Sequence, residues 1–567
     1  MARTVAIGKQ NFGDMVEKDY FYVDKTDFIA EWWENGDDVT LITRPRRFGK
    51  TLTMSMMEHF FSVRYAGRSD LFEHLSIWKE ETYRKLQGSY PVISLSFANV
   101  KADHYAETRL RICQLITDLY LQYQFLMEGD FLAPQEKEYF TSITDTMHDA
   151  TATLSINRLS GYLSRYYNKK VIVLLDEYDT PMQEAYVSGY WDELAVFMRK
   201  FMNETFKTNF YLERAVMTGI TRVSKESVFS DLNNLEVITA ASEKYGASFG
   251  FTEPEVFQAL EEYSLTDQKE TVARWYDGYT FGSCSHIYNP WSVINFLAKK
   301  KFAPYWANTS SNLLVKTLLY KRSRKFKIAM EDLLYKRTVE TDFKEEITFK
   351  QLDGSENATW SLLLAGGYLT IVNVQRVSSR KTLYQLAIPN EETLAVFDDI
   401  VTECFSLENY GYSDFISALL SDDKAFMNQY INAVAAETFS YFDTGSQLSE
   451  SSQPERFYHG FLLGMLADLR GRYHLTSNRE SGNGRYDVLL EPCDPQADVG
   501  MIIEFKVQKS ETEKNLEDTA KKAIQQIIDK KYAAALTARG ISEERIRIYG
   551  FAFCGKDVWI DGGPLVG

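Results

Sequence analysis

Across the first 220 residues, short apolar runs alternate with longer stretches of helical period. VTLIT (39–43), PVISLSF (91–97), VIVLL (171–175) and AVMTGI (215–220) are rich in β-branched residues. Runs that are apolar on both faces, separated by amphipathic segments, predict buried parallel strands with crossover helices. The helix predicted after residue 50 carries Leu52, Met56 and Phe60 at i, i+4 and i+8, an inward-facing stripe. From about 250 to 440 the pattern becomes helical and aromatic, without strand rhythm, and predicts a lid and a helical connector. The polar, Ser-rich stretch DTGSQLSESSQPE (443–455) predicts a linker. A second strand-rich unit follows, with an apolar helix (FYHGFLLGMLADL), strands at RYDVLL and MIIEFKVQK, a long helix, and a last strand near RIRIYGFAF. The expectation is an α/β protein divided at 1–245, 246–440, 441–454 and 455–567.

Length and charge narrow this picture. A chain of 567 residues exceeds one ordinary core. Its 63 basic and 79 acidic residues give a net charge of −16, so nucleic acid is expected to meet only a local basic channel. Cys113, Cys284, Cys404, Cys493 and Cys554 are dispersed, with no C-x-x-C pair. That usage predicts neither a disulfide framework nor a zinc ribbon and fits the cytoplasm. The first residues lack an apolar signal core, and no run approaches a membrane span.

The stretch TRPRRFGKTLT (43–53) has the end of a phosphate-binding loop, Gly49-Lys50-Thr51, but Arg44 stands where G-x-x-x-x-G-K-[ST] opens with glycine. Such a loop works because backbone N–H groups and a helix N-terminus face the anion, while a lysine reaches the outer phosphates and a hydroxyl holds magnesium. Gly49, Lys50 and either Thr51 or Thr53 supply these parts. VIVLLDEYDT (171–180) then delivers Asp176 and Glu177 at a strand end, suited to hold magnesium and to polarise an attacking water. RAVMTGITR (214–222) ends another strand at Thr218, placed to sense the γ-phosphate, with Arg222 beyond it to neutralise transition-state charge.

Six segments in order carry a resemblance: YFYVDKTDFI (20–29), LITRPRRFGKTLTMSMM (41–57), LLDEYDTPMQEAY (174–186), MTGITRVSKESVFSDLNNL (217–235), GFTEPEV (250–256) and WYDGYTFG with YNPWSV (275–293). Over roughly 5–320 the chain resembles the bacterial AAA-ATPase-like proteins, P-loop NTPases in which R-P-R-R-F-G-K-T replaces the usual loop opening. The likeness implies a parallel sheet with flanking helices, and ATP held by Arg46, Arg47, Phe48, Gly49, Lys50, Thr51 and Leu52 with Asp176 and Thr218. It assigns magnesium to Thr51 and Asp176. For Arg46 and Arg47, charge at the phosphates, contact with a neighbouring subunit or a polyanion, and simple solvation all stay open. Tyr22, Asp24 and Lys25 precede the first core strand, where an adenine edge could be read.

The C-terminal unit has its own constellation. GNGRYDVLL (482–490) places Asp487 on a strand, and MIIEFKVQK (501–509) places Glu504 and Lys506 at i and i+2, on one face. The separation of 17 residues between Asp487 and Glu504 fits one hairpin. Two carboxylates can hold a divalent ion, and a lysine beside it can orient a nucleophile. With Gln525 or Gln526 on the following helix and Glu455 on the preceding one, residues 450–560 resemble a PD-(D/E)xK nuclease domain, an α/β restriction-endonuclease-like fold. That likeness assigns metal, magnesium or manganese, to Glu455, Asp487 and Glu504, chemistry to Asp487, Glu504 and Lys506, and support to Gln526. Tyr486 stands where the pattern has proline.

The expected function is ATP binding and hydrolysis, through Glu177 and Arg222, controlling cleavage of DNA or RNA phosphodiesters; a homo-oligomer is compatible. A nucleotide-switched binding protein with an inactive nuclease-like domain is the alternative, and a motor acting on proteins a third. Cys284 and His286 form a C-x-H pair with no second pair at zinc spacing. The basic runs AKKKF (298–302) and KRSRKFK (321–327) offer Phe302 and Phe326 for base stacking, against a solvated helix face.

Overall fold

The computed structural model describes residues 2–221, 229, 232–306, 324–334, 336–342, 355–378, 381–406, 412–438, 471–481, 484–508, 513, 515–554 and 557–566, with a few single positions between them. The chain divides into two compact units, Met1–Lys321 with Asp332–Asp399, and Arg322–Glu331 with Ile400–Gly567.

The first unit is built on a five-stranded sheet of β1 (Val39–Thr43), β2 (Val92–Ser96), β3 (Val171–Asp176), β4 (Leu212–Gly219) and β5 (Leu235–Ile238), in the order β2-β3-β4-β1-β5. Every pairing is parallel, as the doubly apolar runs require. Because β4 lies between β1 and β3, a side chain at its end stands between the phosphate-binding loop after β1 and the carboxylates after β3. The helix Lys50–Phe61 buries Met56 and Phe60 against this sheet, and Leu52 is partly buried there.

The stretch expected to be helical holds two small sheets. The first has the order β6-β8-β7, from β6 (Phe251–Thr252), β7 (Tyr279–Phe281) and β8 (Cys284–Tyr288). The second has the order β10-β11-β9, from β9 (Val339–Thr341), β10 (Thr370–Ser378) and β11 (Lys381–Ala387). Their strands are short or, like β10, exposed on both faces along most of their length, so they lack the apolar runs that reveal a central strand. Phe302 and Phe326 are not free platforms. Phe302 stacks on Phe296 at 4.5 Å, and Phe326 is buried.

The second unit has a mixed sheet, β12-β13-β14-β15-β16, from β12 (Tyr473–Ser481), β13 (Gly484–Pro492), β14 (Gly500–Val507), β15 (Ile546–Cys554) and β16 (Asp557–Pro564). Only β14 and β15 pair in parallel, joined across the helix Leu516–Asp529. The helices Tyr412–Ser421 and Lys424–Thr438, assigned from sequence to the connector, pack Phe415, Leu419, Met427 and Ile431 into this unit's core with Val488, Phe505 and Phe551. Asn428 and Asn432 donate to the carbonyls of Ile560 and Val558 on β16. The predicted linker at 441–454 lies outside the described residues.

Gly550 permits the close approach of the helix Leu516–Asp529 to the sheet. A Cβ there would stand 2.3 Å from the Ala520 carbonyl oxygen. Gly550→Ala is therefore expected to destabilise the second unit by about 3 kcal/mol, through displacement of that helix. A lowered midpoint of its unfolding transition in urea checks this.

Candidate active sites

Gly49, at φ 83, is the N-cap of the helix Lys50–Phe61, and this left-handed corner favours glycine. The Lys50 ammonium donates to the carbonyls of Arg44 and Pro45, each at 2.8 Å. Burial lowers its pKa to about 8, against the pull of Glu177, Asp179 and Asp176. Of the two candidate threonines, Thr51 reaches the carboxylates: its hydroxyl donates to Asp176 Oδ2 at 2.8 Å. The Thr218 hydroxyl donates to Asp176 Oδ1 and accepts from the Glu177 N–H at 3.3 Å. Glu177 leaves the strand at φ 51 and accepts from Thr180 Oγ1 at 3.1 Å. Burial, then the neighbouring Asp176, raises its pKa, which makes it a stronger base when ionised.

Arg44 explains how the loop does without its first glycine. Only 1% exposed, it donates to the carbonyls of Thr43 at 3.0 Å and Thr239 at 2.8 Å. Its guanidinium lies 4.4 Å from the Phe281 ring centroid, and burial lowers its pKa to about 9. The side chain ties the start of the loop to the segment after β5 and to β7. Phe48 does the same from the other end of the loop, edge-on to Tyr279 at 5.0 Å and Phe281 at 5.5 Å.

A cavity of 460 Å³ opens over the loop. Arg46, Arg47, Phe48, Gly49, Lys50, Thr51, Leu52 and Glu177 line it; Asp176 and Thr218 stand outside its lining. Arg47, at φ 69, holds its guanidinium 4.4 Å from the Trp291 ring centroid. Arg46 reaches Gln183 at 3.4 Å. Part of the cavity lining is apolar, with Val5, Phe21, Tyr22, Val23, Trp291 and Ile294. Lys25 lines it too but pairs with Glu255 at 2.7 Å, and Asp24 instead receives the N–H groups of Thr26 and Ser76.

Sequence reasoning missed Trp291, Ile294 and Asp179. The Asp179 carboxylate accepts from the N–H groups of Ile220 and Thr221, at 3.0 and 2.8 Å, and so fixes the chain leaving β4. Its signal was present as the second aspartate of LLDEYDT. Arg222 lies outside the described residues.

In the second unit, the antiparallel pairing of Val488 with Ile503 sets Asp487 beside Glu504. Asp487 Oδ2 accepts the Phe505 N–H at 2.8 Å. Glu504 is 3% exposed. The Gln526 side-chain amide joins the pair on β14: its NH₂ donates to Glu504, and its carbonyl accepts from Lys506 Nζ at 2.7 Å. Gln525 pairs instead with Asp529, on the exposed side. Adjacent carboxylates on neighbouring strands form a hard-oxygen donor set that could hold magnesium or manganese. Glu455 lies outside the described residues.

A parallel sheet in this order with a lysine loop, and a mixed sheet bearing a D…ExK set, define a P-loop NTPase core joined to a nuclease-like fold. Residues 6–229 match the family model of predicted AAA-ATPases, and residues 453–562 that of the PD-(D/E)XK nuclease superfamily. The chain thus carries an AAA-ATPase-like domain followed by a PD-(D/E)XK superfamily domain. A protein of Azotobacter chroococcum mcd 1, described as an uncharacterized protein in the vnfD 5' region, is 26% identical over 561 residues, 97% of this chain and 96% of its own length. Among the described residues, no helix is long and apolar enough to cross a membrane.

Two outcomes are expected. Arg44→Gly, which restores the general loop pattern, costs about 3 kcal/mol because the Thr239 and Thr43 carbonyls lose a buried charged donor; a fall in the first thermal transition checks it. Phosphate held at this loop would favour the protonated Lys50, so affinity for a fluorescent ATP analogue is expected to be flat below pH 8. Above it, affinity falls by up to about tenfold per pH unit.

Proposed function

We propose that this protein binds and hydrolyses ATP and that its nucleotide state controls a metal-dependent cleavage of DNA or RNA phosphodiesters by the C-terminal domain. The observation that carries the reading is that each family-matched domain gathers its own carboxylate-and-cation set: Lys50, Thr51, Asp176 and Glu177 in one, Asp487, Glu504 and Lys506 in the other.

In the first domain, Lys50 is suited to neutralise the outer phosphates, and Thr51 with Asp176 to hold magnesium. Magnesium supplies charge neutralisation at the transferred phosphoryl group. Glu177 orients and deprotonates water, and Thr218 links its backbone to Asp176, so that a change at the γ-phosphate reaches the end of β4. The apolar part of the cavity lining suits a nucleoside base. Arg46 and Arg47 add positive charge to that lining.

In the second domain, Asp487 and Glu504 would hold a divalent ion, which when bound would lower the pKa of an attacking water. Lys506, steadied by Gln526, is suited to orient that water and stabilise charge on phosphorus. Nucleic acid is the partner this chemistry acts on; with a net charge of −16 it requires a local basic channel.

Cleavage of plasmid DNA and of a structured RNA, with magnesium or manganese and with or without ATP, tests the reading. Metal-dependent cutting is expected in the intact protein, at least 100-fold weaker in Lys506→Ala, and insensitive to ATP in Lys50→Ala. Intact ATP hydrolysis with no cutting of either substrate would replace this reading with a nucleotide-switched binding protein.

A further inference from the structure

The C-x-H pair of Cys284 and His286 makes no zinc site by itself, but the fold gives His286 other company. One potential ligand atom from each of Glu253, Asp277 and His286 lies within 4.8 Å of the other two. The three residues come from different elements: the first residue of the helix Glu253–Glu262, the residue that ends the helix Lys269–Tyr276, and β8.

Their convergence is built by the small sheet. β8 is its central strand, and the pairing of Thr252 with Ile287 brings Glu253 beside His286. On the other side, β8 pairs Ile287 with Tyr279 and Cys284 with Phe281, so Ser285 and His286 together face Thr280. That is a bulge, a feature that re-aims a side chain. His286 occupies it at φ 57, a left-handed conformation that favours glycine. The re-aimed ring sets Nδ1 2.8 Å from Asp277 Oδ2.

The remaining donors are uncommitted. Asp277 Oδ1 is sealed from solvent and receives no hydrogen bond of good geometry, although the Gly278 N–H stands near the carboxylate and the side chain as a whole keeps 13% exposure. Glu253 makes no hydrogen bond or ion pair among the described residues. A buried carboxylate oxygen without a partner is costly, and a shared cation removes that cost. Ligands on a common first-row ion stand about 3–3.5 Å apart, so the present spacing needs only small side-chain rotations. A second cluster, Asp103, His104 and Glu107, also meets the distance, but it comes from one exposed turn and has no sealed oxygen.

We propose that Glu253, Asp277 and His286 form a site for a divalent transition-metal ion, separate from both active sites. Two carboxylates and one imidazole suit zinc, and His286, 62% exposed, leaves the ion an entry path from solvent.

Zinc titration by calorimetry tests this in full-length protein carrying His104→Ala and Asp487→Asn, which removes competing ligands. One zinc ion per chain is expected in that background. Its affinity should fall at least tenfold on adding either Asp277→Asn or His286→Gly. Glycine accepts the left-handed conformation, so His286→Gly keeps the fold, as an unchanged melting temperature without zinc would show, and decides the matter if Asp277→Asn does not fold. Absence of a zinc-binding event in the background protein, or unchanged affinity in His286→Gly, overturns the proposal.

Discussion

The N-terminal site depends on one buried carboxylate. Asp176 ends β3 at 4% exposure and receives a hydroxyl on each oxygen, Thr51 from the phosphate-binding loop and Thr218 from β4. A buried charge needs such partners, and here the partners join the loop, the carboxylate pair and the strand between them. Because β4 separates β1 from β3 in the sheet, Thr218 at its end adds a second link to Asp176 beside the direct one from Thr51. The position of Glu177 follows from the same contact, since its N–H rests on the Thr218 hydroxyl.

The arginine that opens the loop is a second constraint on the same site. A glycine at this place serves a tight turn; Arg44 instead anchors the turn with hydrogen bonds to the main-chain carbonyls of Thr43, Thr239 and Tyr245 and with an aromatic face. The consequence reaches beyond the loop, because its anchors belong to the segment after β5 and to the sheet β6-β8-β7. Phe48 and Arg47 lean on the same region, through Tyr279 and Trp291. A displacement of this loop therefore also displaces its contacts with this sheet.

In the C-terminal unit the decisive contact is the Gln526 amide, which receives from Lys506 and donates to Glu504. It fixes two opposite charges on one strand face and depends on a helix brought close by Gly550. Asp487 joins them through strand register rather than sequence proximity.

What could be read from the chain alone was whatever local chemistry imposes. Apolar runs marked β1 to β4 because strands buried on both faces need continuous hydrophobicity. Gly49-Lys50-Thr51, Asp176-Glu177 and Glu504-x-Lys506 were legible because short-range geometry sets their spacing. Tertiary structure alone decided the rest. Residue spacing left Thr53 open beside Thr51 and Gln525 beside Gln526, and only the family resemblance chose between them; the contacts that Thr51 and Gln526 make, to partners 125 and 22 residues away in sequence, belong to the tertiary structure. The two small sheets were missed because their strands are either very short or, like β10, exposed on both faces, which leaves little periodic signal. The carboxylates beside His286 were invisible in sequence for a related reason: strand pairing and a bulge bring them together, and neither leaves a mark on residue spacing.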